Sequence, residues 1–492
     1  MSTALLAPFS SQLVWAAATG GKISGDIDAI STGGEQLTLP KTVVKEFQKS
    51  FHGQLVLPGS ANYDTVRSVW NGMIDKRPGL IARCAGASDV ITAVNFARAN
   101  DLLVAVRGGG HSISGKSVCE GGLMIDLQPM RWARADPASQ TAVLGAGALL
   151  SDLDNEAQAF GLATTAGTVS HTGVAGLTLG GGHGRLARRF GLTADNVRSF
   201  DIVTADGQFR HVTSEENPDL YWGLRGGGGN FGIVTSFEYQ LHEIGTEILN
   251  GTLMYPISQA REVLANYSEF IETAPNELSV DVIILATAGR KPIMMLSICY
   301  SGDLAKGERI MAPLRAFGKP MADQVTLKKY LDVQTSADRA TPPGMQYYNK
   351  SGLMKELSED SIDAIVSRME EAPGQTDPGI ATNVIIQHLG GKMGEPASDA
   401  TAYAHRDAIH DCLILSAWTD TSYSAQNIKW LRDAFVSIEP HTIGAYSNHL
   451  VDSDKNQQST TFRGNYERLV GLKNQYDPTN FFRLNANIKP TI

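Results

Sequence analysis

The chain has 492 residues, of which 42% are apolar and 19% charged, and carries a net charge of −9. That length exceeds one comfortable hydrophobic core, so two or three domains are expected. The acidic balance without a basic stripe argues against nucleic acid as a partner, and no apolar run reaches the roughly 18 residues of a membrane span.

Residues 1–45 have weak periodicity and read as an N-terminal extension. The apolar start has no Lys or Arg ahead of it, a poor secretory signal, so the cytoplasm is the expected location. From Phe51 the pattern is α+β. A strand is predicted over 80–84, then a helix capped by Ser88 and running to about Asn100. A strand over 102–106 runs into Gly108-Gly109-Gly110-His111. Further strands fall at 123–127 and 141–145, and a helix at 151–161 between a Ser151 cap and a Gly161 stop. Small residues dominate 165–184, which ends in Gly180-Gly181-Gly182-His183-Gly184. After a turn at 191–196, a strand over 201–207 enters an Asp-Gly hairpin signal. A third cluster, Gly226-Gly227-Gly228-Gly229-Asn230-Phe231-Gly232, leads into a strand at 233–239. Beyond Gly245 the clusters stop. Strands and helices at 253–255, 258–273, 279–285, 293–300, 358–371 and 381–388 predict a second domain, a sheet with helices on one face. The tail from Tyr446 is rich in Tyr, Asn and Arg and is expected to return to the first domain.

The four cysteines, Cys84, Cys119, Cys299 and Cys412, have no metal-type spacing and read as free buried thiols. No His/Asp/Glu cluster has metal spacing, and no serine sits in G-x-S-x-G. Met294-Met295 and Tyr347-Tyr348 could line a pocket but read as core. Residues 110–117 satisfy the phosphate-loop expression G-x-x-x-x-G-K-S. A working phosphate loop opens a helix, whereas Val118-Cys119-Glu120-Gly121-Gly122 leads to a strand. The dinucleotide fingerprint also matches at 182–187 and 227–232, but neither match lies between a clear strand and a long helix. Three glycine turns whose N–H groups can face phosphate or a flavin edge point instead to one large bent ligand.

The ordered set Arg107-Gly-Gly-Gly-His111, Thr172-Gly-Val-Ala-Gly-Leu-Thr-Leu-Gly-Gly-Gly182, Gly191-Leu-Thr-Ala-Asp-Asn196, Arg225-Gly-Gly-Gly-Gly-Asn-Phe-Gly232, Tyr446-Ser-Asn448 and Asp477-Pro-Thr-Asn-Phe-Phe-Arg-Leu-Asn-Ala-Asn487 resembles the berberine-bridge-enzyme-like branch of the vanillyl-alcohol-oxidase flavoproteins. The resemblance is dense over 78–241 and 446–490 and sparse between. It implies an α+β fold: a two-subdomain FAD-binding domain of the PCMH type over 46–244, split by an α+β substrate domain with an antiparallel sheet over 245–444, and a C-terminal return over 445–492.

The resemblance further implies FAD joined through His111 to the 8α carbon of the flavin. A nucleophile there must be neutral, as imidazole largely is at pH 7. A second, cysteinyl link of many plant members would fall at about Val169, so a single covalent bond is expected. The remaining cofactor contacts implied are Arg107, Gly108, Gly109, Gly110, Ser112, Thr172, Gly173, Gly176, Gly181, Gly182, Gly184, Asn196, Gly228, Gly229, Asn230, Gly232, Ile233, Val234, Tyr446, Asn485 and Asn487. Tyr446 and Asn448 match the family's Tyr-x-Asn pair, and a phenol there serves as base if its pKa is lowered. His171 and His183 are further candidates for base or substrate contact. The activity implied is an FAD-dependent oxidase passing hydride from an alcohol, sugar, phenolic or polyketide-like substrate to flavin, with O2 reduced to H2O2. The His171-Thr172 pair also resembles that of flavin-N5-oxide oxygenases. A non-catalytic flavin-binding protein is the third reading.

Overall fold

The computed structural model describes residues 23–377, 379–451 and 457–492. The first 22 residues of the expected extension lie outside them. Its remainder forms a hairpin, Ile27–Ile30 against Gln36–Leu39, whose Ala29 and Leu39 enter the first hydrophobic core.

Two sheets build the first half. In one, Leu80–Arg83 and Val104–Arg107 each pair in parallel with Leu123–Asp126, and Gln54–Val56 closes the edge. A parallel pair needs a crossover, supplied by the helix Ala87–Ala99. That helix starts after extended Gly86, so Ser88 lies inside its first turn rather than capping it. Asp89 ties down the entry instead, accepting the Ala85 and His52 N–H groups at 2.8 Å each. The helix Leu150–Gln158 likewise begins ahead of Ser151, and Asp152 accepts the Leu149 N–H at 2.8 Å. In both cases an acidic side chain in the first turn holds the entry that a serine was expected to hold.

The other sheet is antiparallel, in the order Phe209–Val212, Val197–Thr204, Gly232–Gln240, Thr141–Gly145, Ala133–Asp136. Both sheets share one core, into which the tail returns with Phe462, Leu469, Phe481, Phe482 and Ile488. A buried ion pair pins that return: Lys473 Nζ lies 2.6 Å from Asp477 and also donates to the carbonyls of Asn230 and Phe482.

From Glu247 an eight-stranded antiparallel sheet takes over, with Gln346–Met354 and His410–Trp418 at one side. The helices Ala260–Ile271, Leu304–Ala316, Glu359–Glu370 and Ser424–Ile438 cover one face and form a second core with Val280, Val282 and Ile284. Strand side chains alternate between faces, so Ile283, Met295, Ile385 and Leu413 stand half-buried on the other face. That alternation splits both doublets singled out in the sequence. Met294 and Tyr348 are in the second core, while Tyr347 packs from the opposite face with Trp70, Leu415 and Ala417. The opposite face turns toward the first domain: Asn71 bonds both the carbonyl and the N–H of Tyr347 at 3.0 Å. All four cysteines are buried and free. Among the described residues no helix is long and apolar enough to cross a membrane.

Candidate active site

The strand Val104–Arg107 delivers the first glycine turn to the side of the first half that faces the large sheet, where Trp70 stacks on both His111 and Tyr347. Arg107 folds back beneath it and donates to the Val66 carbonyl. A Cβ on Gly110 would fall 3.0 Å from its Nε, so the guanidinium props the turn from inside the fold. The turn also backs onto the second glycine segment, where a Cβ on Gly109 would sit 2.4 Å from the Gly173 Cα. Only glycine at both places permits that approach.

His111 emerges from this contact. Its ring stacks on Trp70 at 4.3 Å, and Trp70 in turn stacks on Tyr347 at 3.8 Å. Its Nε2 lies 3.1 Å from His171 Nδ1. Burial, aided by the neighbouring His171, pushes the His111 pKa down to about 3, which leaves the imidazole neutral across the physiological range. The segment carrying His171 is anchored from the second domain: Asp338 accepts the Ser170 N–H at 2.9 Å and its hydroxyl at 2.6 Å. His171 Nε2 is buried with no partner. Ser112 Oγ accepts the Lys116 N–H within the same loop, and no helix follows at 111–122, in keeping with a false phosphate-loop match.

At the far end of the same segment stands Tyr446. Its hydroxyl oxygen accepts the Gly182 N–H at 3.0 Å and an Asn448 Nδ2–H at 2.8 Å. Asn448 also donates to the Leu177 carbonyl, and it fits because residue 180 is glycine: a Cβ there would fall 2.2 Å from its Oδ1. His183 stacks on the Tyr446 ring at 3.9 Å, and its Nε2 lies 2.9 Å from the Tyr403 hydroxyl. Burial raises the Tyr446 pKa, against the help of its two donors. Burial also lowers that of His183, outweighing the raising effect of Asp411. His171 and His183, both candidates for base or substrate contact, fall at opposite ends of the segment, one with His111 and the other with Tyr446.

The remaining expected contacts divide clearly. Asn196 donates to Phe190 and Leu192 carbonyls and pairs with His242 at 2.7 Å. Asn230 is spent on Gly227, Ala486 and Ile488 backbone groups. Ile233 and Val234 point into the first core, and Gly232 starts their strand, so only main chain from this stretch can reach a ligand. Thr172 holds the segment through its backbone, with its N–H on the Val169 carbonyl and its carbonyl taken by the Leu150 N–H. Open ground lies elsewhere: a Cβ on Gly176 or Gly229 would meet nothing within 4 Å, and one on Gly228 only Asn230 at 3.7 Å. Gly181 and Gly182 carry positive φ of 117° and 85°. Asn485 donates to the Gly229 carbonyl, while its buried Oδ1 has no partner. Unfilled space over Gly228 and Gly229 beside the orphaned Asn485 Oδ1, together with the unpartnered His171 Nε2 next to His111, fits a large polar cofactor. Asn487 lies in the same returning tail.

Sequence reasoning missed Trp70, Asp338, Tyr403, Asp411 and His449. Asp411 had a readable signal, a carboxylate directly ahead of the apolar run Cys412-Leu413-Ile414-Leu415. His449 stands one residue past the Tyr-x-Asn pair.

The models of two families match the chain: an FAD binding domain over residues 78–213 and a berberine and berberine-like segment over 445–489. An FAD-linked oxidoreductase of Dictyostelium discoideum is 34% identical, with 91% of this chain and 97% of that protein covered. The (R)-6-hydroxynicotine oxidase of Paenarthrobacter nicotinovorans is 29% identical over 90% of this chain and 97% of its own. The crystal structure of 6-hydroxy-D-nicotine oxidase from Arthrobacter nicotinovorans superposes with a TM-score of 0.81 at 27% identity, covering 89% of this chain and 98% of that one.

Proposed function

Since this chain belongs to the berberine-bridge-enzyme-like FAD-linked oxidoreductases, we propose that it is an oxidase carrying FAD tethered once, through His111. FAD, when bound, supplies the hydride acceptor and returns the electrons to dioxygen, releasing hydrogen peroxide. The observation that carries the tether is a buried imidazole kept neutral at the end of a glycine turn, stacked on Trp70 and paired with His171. A protonated ring has no lone pair to offer, and this one stays unprotonated far below pH 7. The stack on Trp70 fixes its plane. The bond to His171 gives its Nε2 a partner for a proton leaving or arriving.

The substrate lies between the glycine wall and the sheet face on which Leu413 stands half-buried. That face is apolar and its neighbours Asn383 and Gln387 are polar, a mixture suited to a small organic alcohol or amine. Tyr446 has both acceptor sites of its oxygen occupied by N–H donors, which leaves its own proton to hold a substrate oxygen or nitrogen. Because burial raises its pKa, Tyr446 acts here as a hydrogen-bond donor rather than as the base expected from the motif.

Two measurements test this reading. Acid precipitation of the protein should leave a yellow pellet; flavin released wholly to the supernatant refutes the tether. A panel of 6-hydroxynicotine, a benzylic alcohol and a glucose oligosaccharide should reveal a substrate oxidised with one peroxide per turnover. Oxygen label from dioxygen in the product, without peroxide, would establish an oxygenase in its place.

A further inference from the structure

Asp411 is fully buried on the strand His410–Trp418. A carboxylate in such a position is costly unless paired. Its Oδ2 lies 3.1 Å from His449 Nδ1 and 3.4 Å from His183 Nδ1. Burial alone would raise its pKa, but the two imidazoles, His449 first, hold it below the ordinary carboxylate range. Asp411 is therefore an anion shared by two rings.

The two rings differ in what their other nitrogen can do. His183 has a side chain only 2% exposed and its Nε2 faces the Tyr403 hydroxyl. It is closed on every side. His449 ends the turn Ser447–His449, packs edge-on to Tyr446 at 4.9 Å and keeps 21% of its side chain exposed. With the carboxylate 3.1 Å from Nδ1, the neutral ring is best served by keeping its proton on Nδ1, which puts the lone pair on Nε2. An anion behind one nitrogen and a lone pair on the other is the arrangement of a general base. The charged or titratable groups around it are Asp411, His183, Tyr446 and Tyr403, with Arg406 acting on His183 from beyond.

We propose that His449 is the catalytic base of this oxidase and that Asp411 and His183 are its positioning residues. The proposal rests on the oxidase reading given above. His449 Nε2 takes the proton of a substrate O–H or N–H held by Tyr446: that bond breaks and an Nε2–H bond forms. The electron pair left on the heteroatom closes a C=O or C=N bond as the adjacent carbon gives its hydride to FAD. Substrate is oxidised by two electrons, the cofactor reduced by two, and Asp411 stabilises the imidazolium.

The test uses holoprotein and the variants His449→Gln and Asp411→Asn. Histidine 15N spectra of the neutral-pH wild type should place the His449 proton on Nδ1, with the signal identified by its loss in His449→Gln. A proton on Nε2 instead overturns the proposal, and this readout needs no substrate. With whichever panel compound yields peroxide, His449→Gln should slow flavin reduction by about 10²-fold or more while its FAD content stays unchanged. Asp411→Asn should displace the acid limb of the pH–rate profile to lower pH, a shift that a merely structural aspartate would not produce. A wild-type reduction rate in His449→Gln overturns the base assignment and leaves the oxidase reading standing. A wild type that forms no peroxide with any panel compound sinks the oxidase reading itself, and the tautomer then still decides whether the Asp411–His449 pair is built as argued.

Discussion

At the His111 end of the cleft two imidazoles face each other, and at the Tyr446 end two imidazoles share a carboxylate. The residue type is the same and the local chemistry is opposite. His111 and His171 have only one another, because Asp338, the carboxylate that reaches this end, is held by Ser170. Burial, with His171 adding to it, outweighs the opposing pull of a backbone hydrogen bond and of Asp338, and His111 stays neutral, the form that can act as a nucleophile. Around Asp411 a buried anion gives an imidazolium somewhere to be stable. One end suits bond formation at nitrogen; the other sets a buried carboxylate 3.1 Å behind the partly exposed ring of His449.

The largest test of that contrast is His111→Ala. Covalent flavin should vanish altogether, with the acid pellet colourless and FAD still retained before denaturation by the glycine turns. A pellet that stays yellow places the tether on another residue.

Next comes pH. His111 and His410 are pushed to about 3 and His405 to about 4, and His183 and His388 are also lowered, burial being the main cause in each. In the unfolded chain histidine titrates near about 6.5. Between those values the unfolded state binds more protons, so stability present above about pH 6.5 is lost as pH falls. Each such histidine adds about 1.4 kcal/mol per pH unit to the slope. Asp154 and Asp281, raised to about 7 and about 6 by burial, oppose it, because the native state binds their protons more readily. Urea midpoints should fall steeply on acidification below about pH 6.5, and His111→Gln should flatten the curve. A flat wild-type curve would mean these rings are not held neutral in the fold.

Legibility in the sequence follows the range of the interactions. The strands 80–84, 123–127 and 141–145 and the helix at 358–371 stand within a residue or two of their observed bounds, because apolar periodicity and local turn chemistry decide them. The strand His410–Trp418 and helix Ser424–Ile438 escaped notice. The strand carries apolar residues on both faces, Leu413 and Leu415 on one and Cys412 and Ile414 on the other, so its sequence has no polar–apolar alternation to read. His111 was legible from its glycine turn, a local motif. Asp411 showed only as a carboxylate beside an apolar run; its role depends on His183 and His449, 228 and 38 residues away along the chain. Caps were misread by a residue or two: the helices begin ahead of Ser88 and Ser151, and Asp89 and Asp152 instead take N–H groups preceding each helix.

Tyr446→Phe sharpens the comparison at its other end. The phenol should lose one donated hydrogen bond, about 1–1.5 kcal/mol, and flavin reduction should slow by roughly tenfold. That is well short of the loss expected for His449→Gln. Should Tyr446→Phe instead cost 10²-fold or more and His449→Gln little, the phenol is the base and the imidazole its support.

The smallest effect is expected at Asp338→Asn. Asp338 accepts both the N–H and the hydroxyl of Ser170, and Ser170 precedes the histidine bonded to His111. An asparagine keeps one acceptor for the backbone N–H and presents an amide to the hydroxyl, which must then reverse its own bond. The fold should survive, since the residue lies in a surface 3-10 turn, Asp338–Ala340. What changes is how firmly His171 is held against His111. Losing about 1 kcal/mol of that restraint should slow covalent attachment of FAD to apoprotein about fivefold, read as the time course of acid-stable yellow colour. The finished holoprotein should be indistinguishable from wild type once the bond has formed. An unaltered time course would show that the contact of Gly109 with Gly173 alone places the two rings, and that the second domain has no part in preparing the tether.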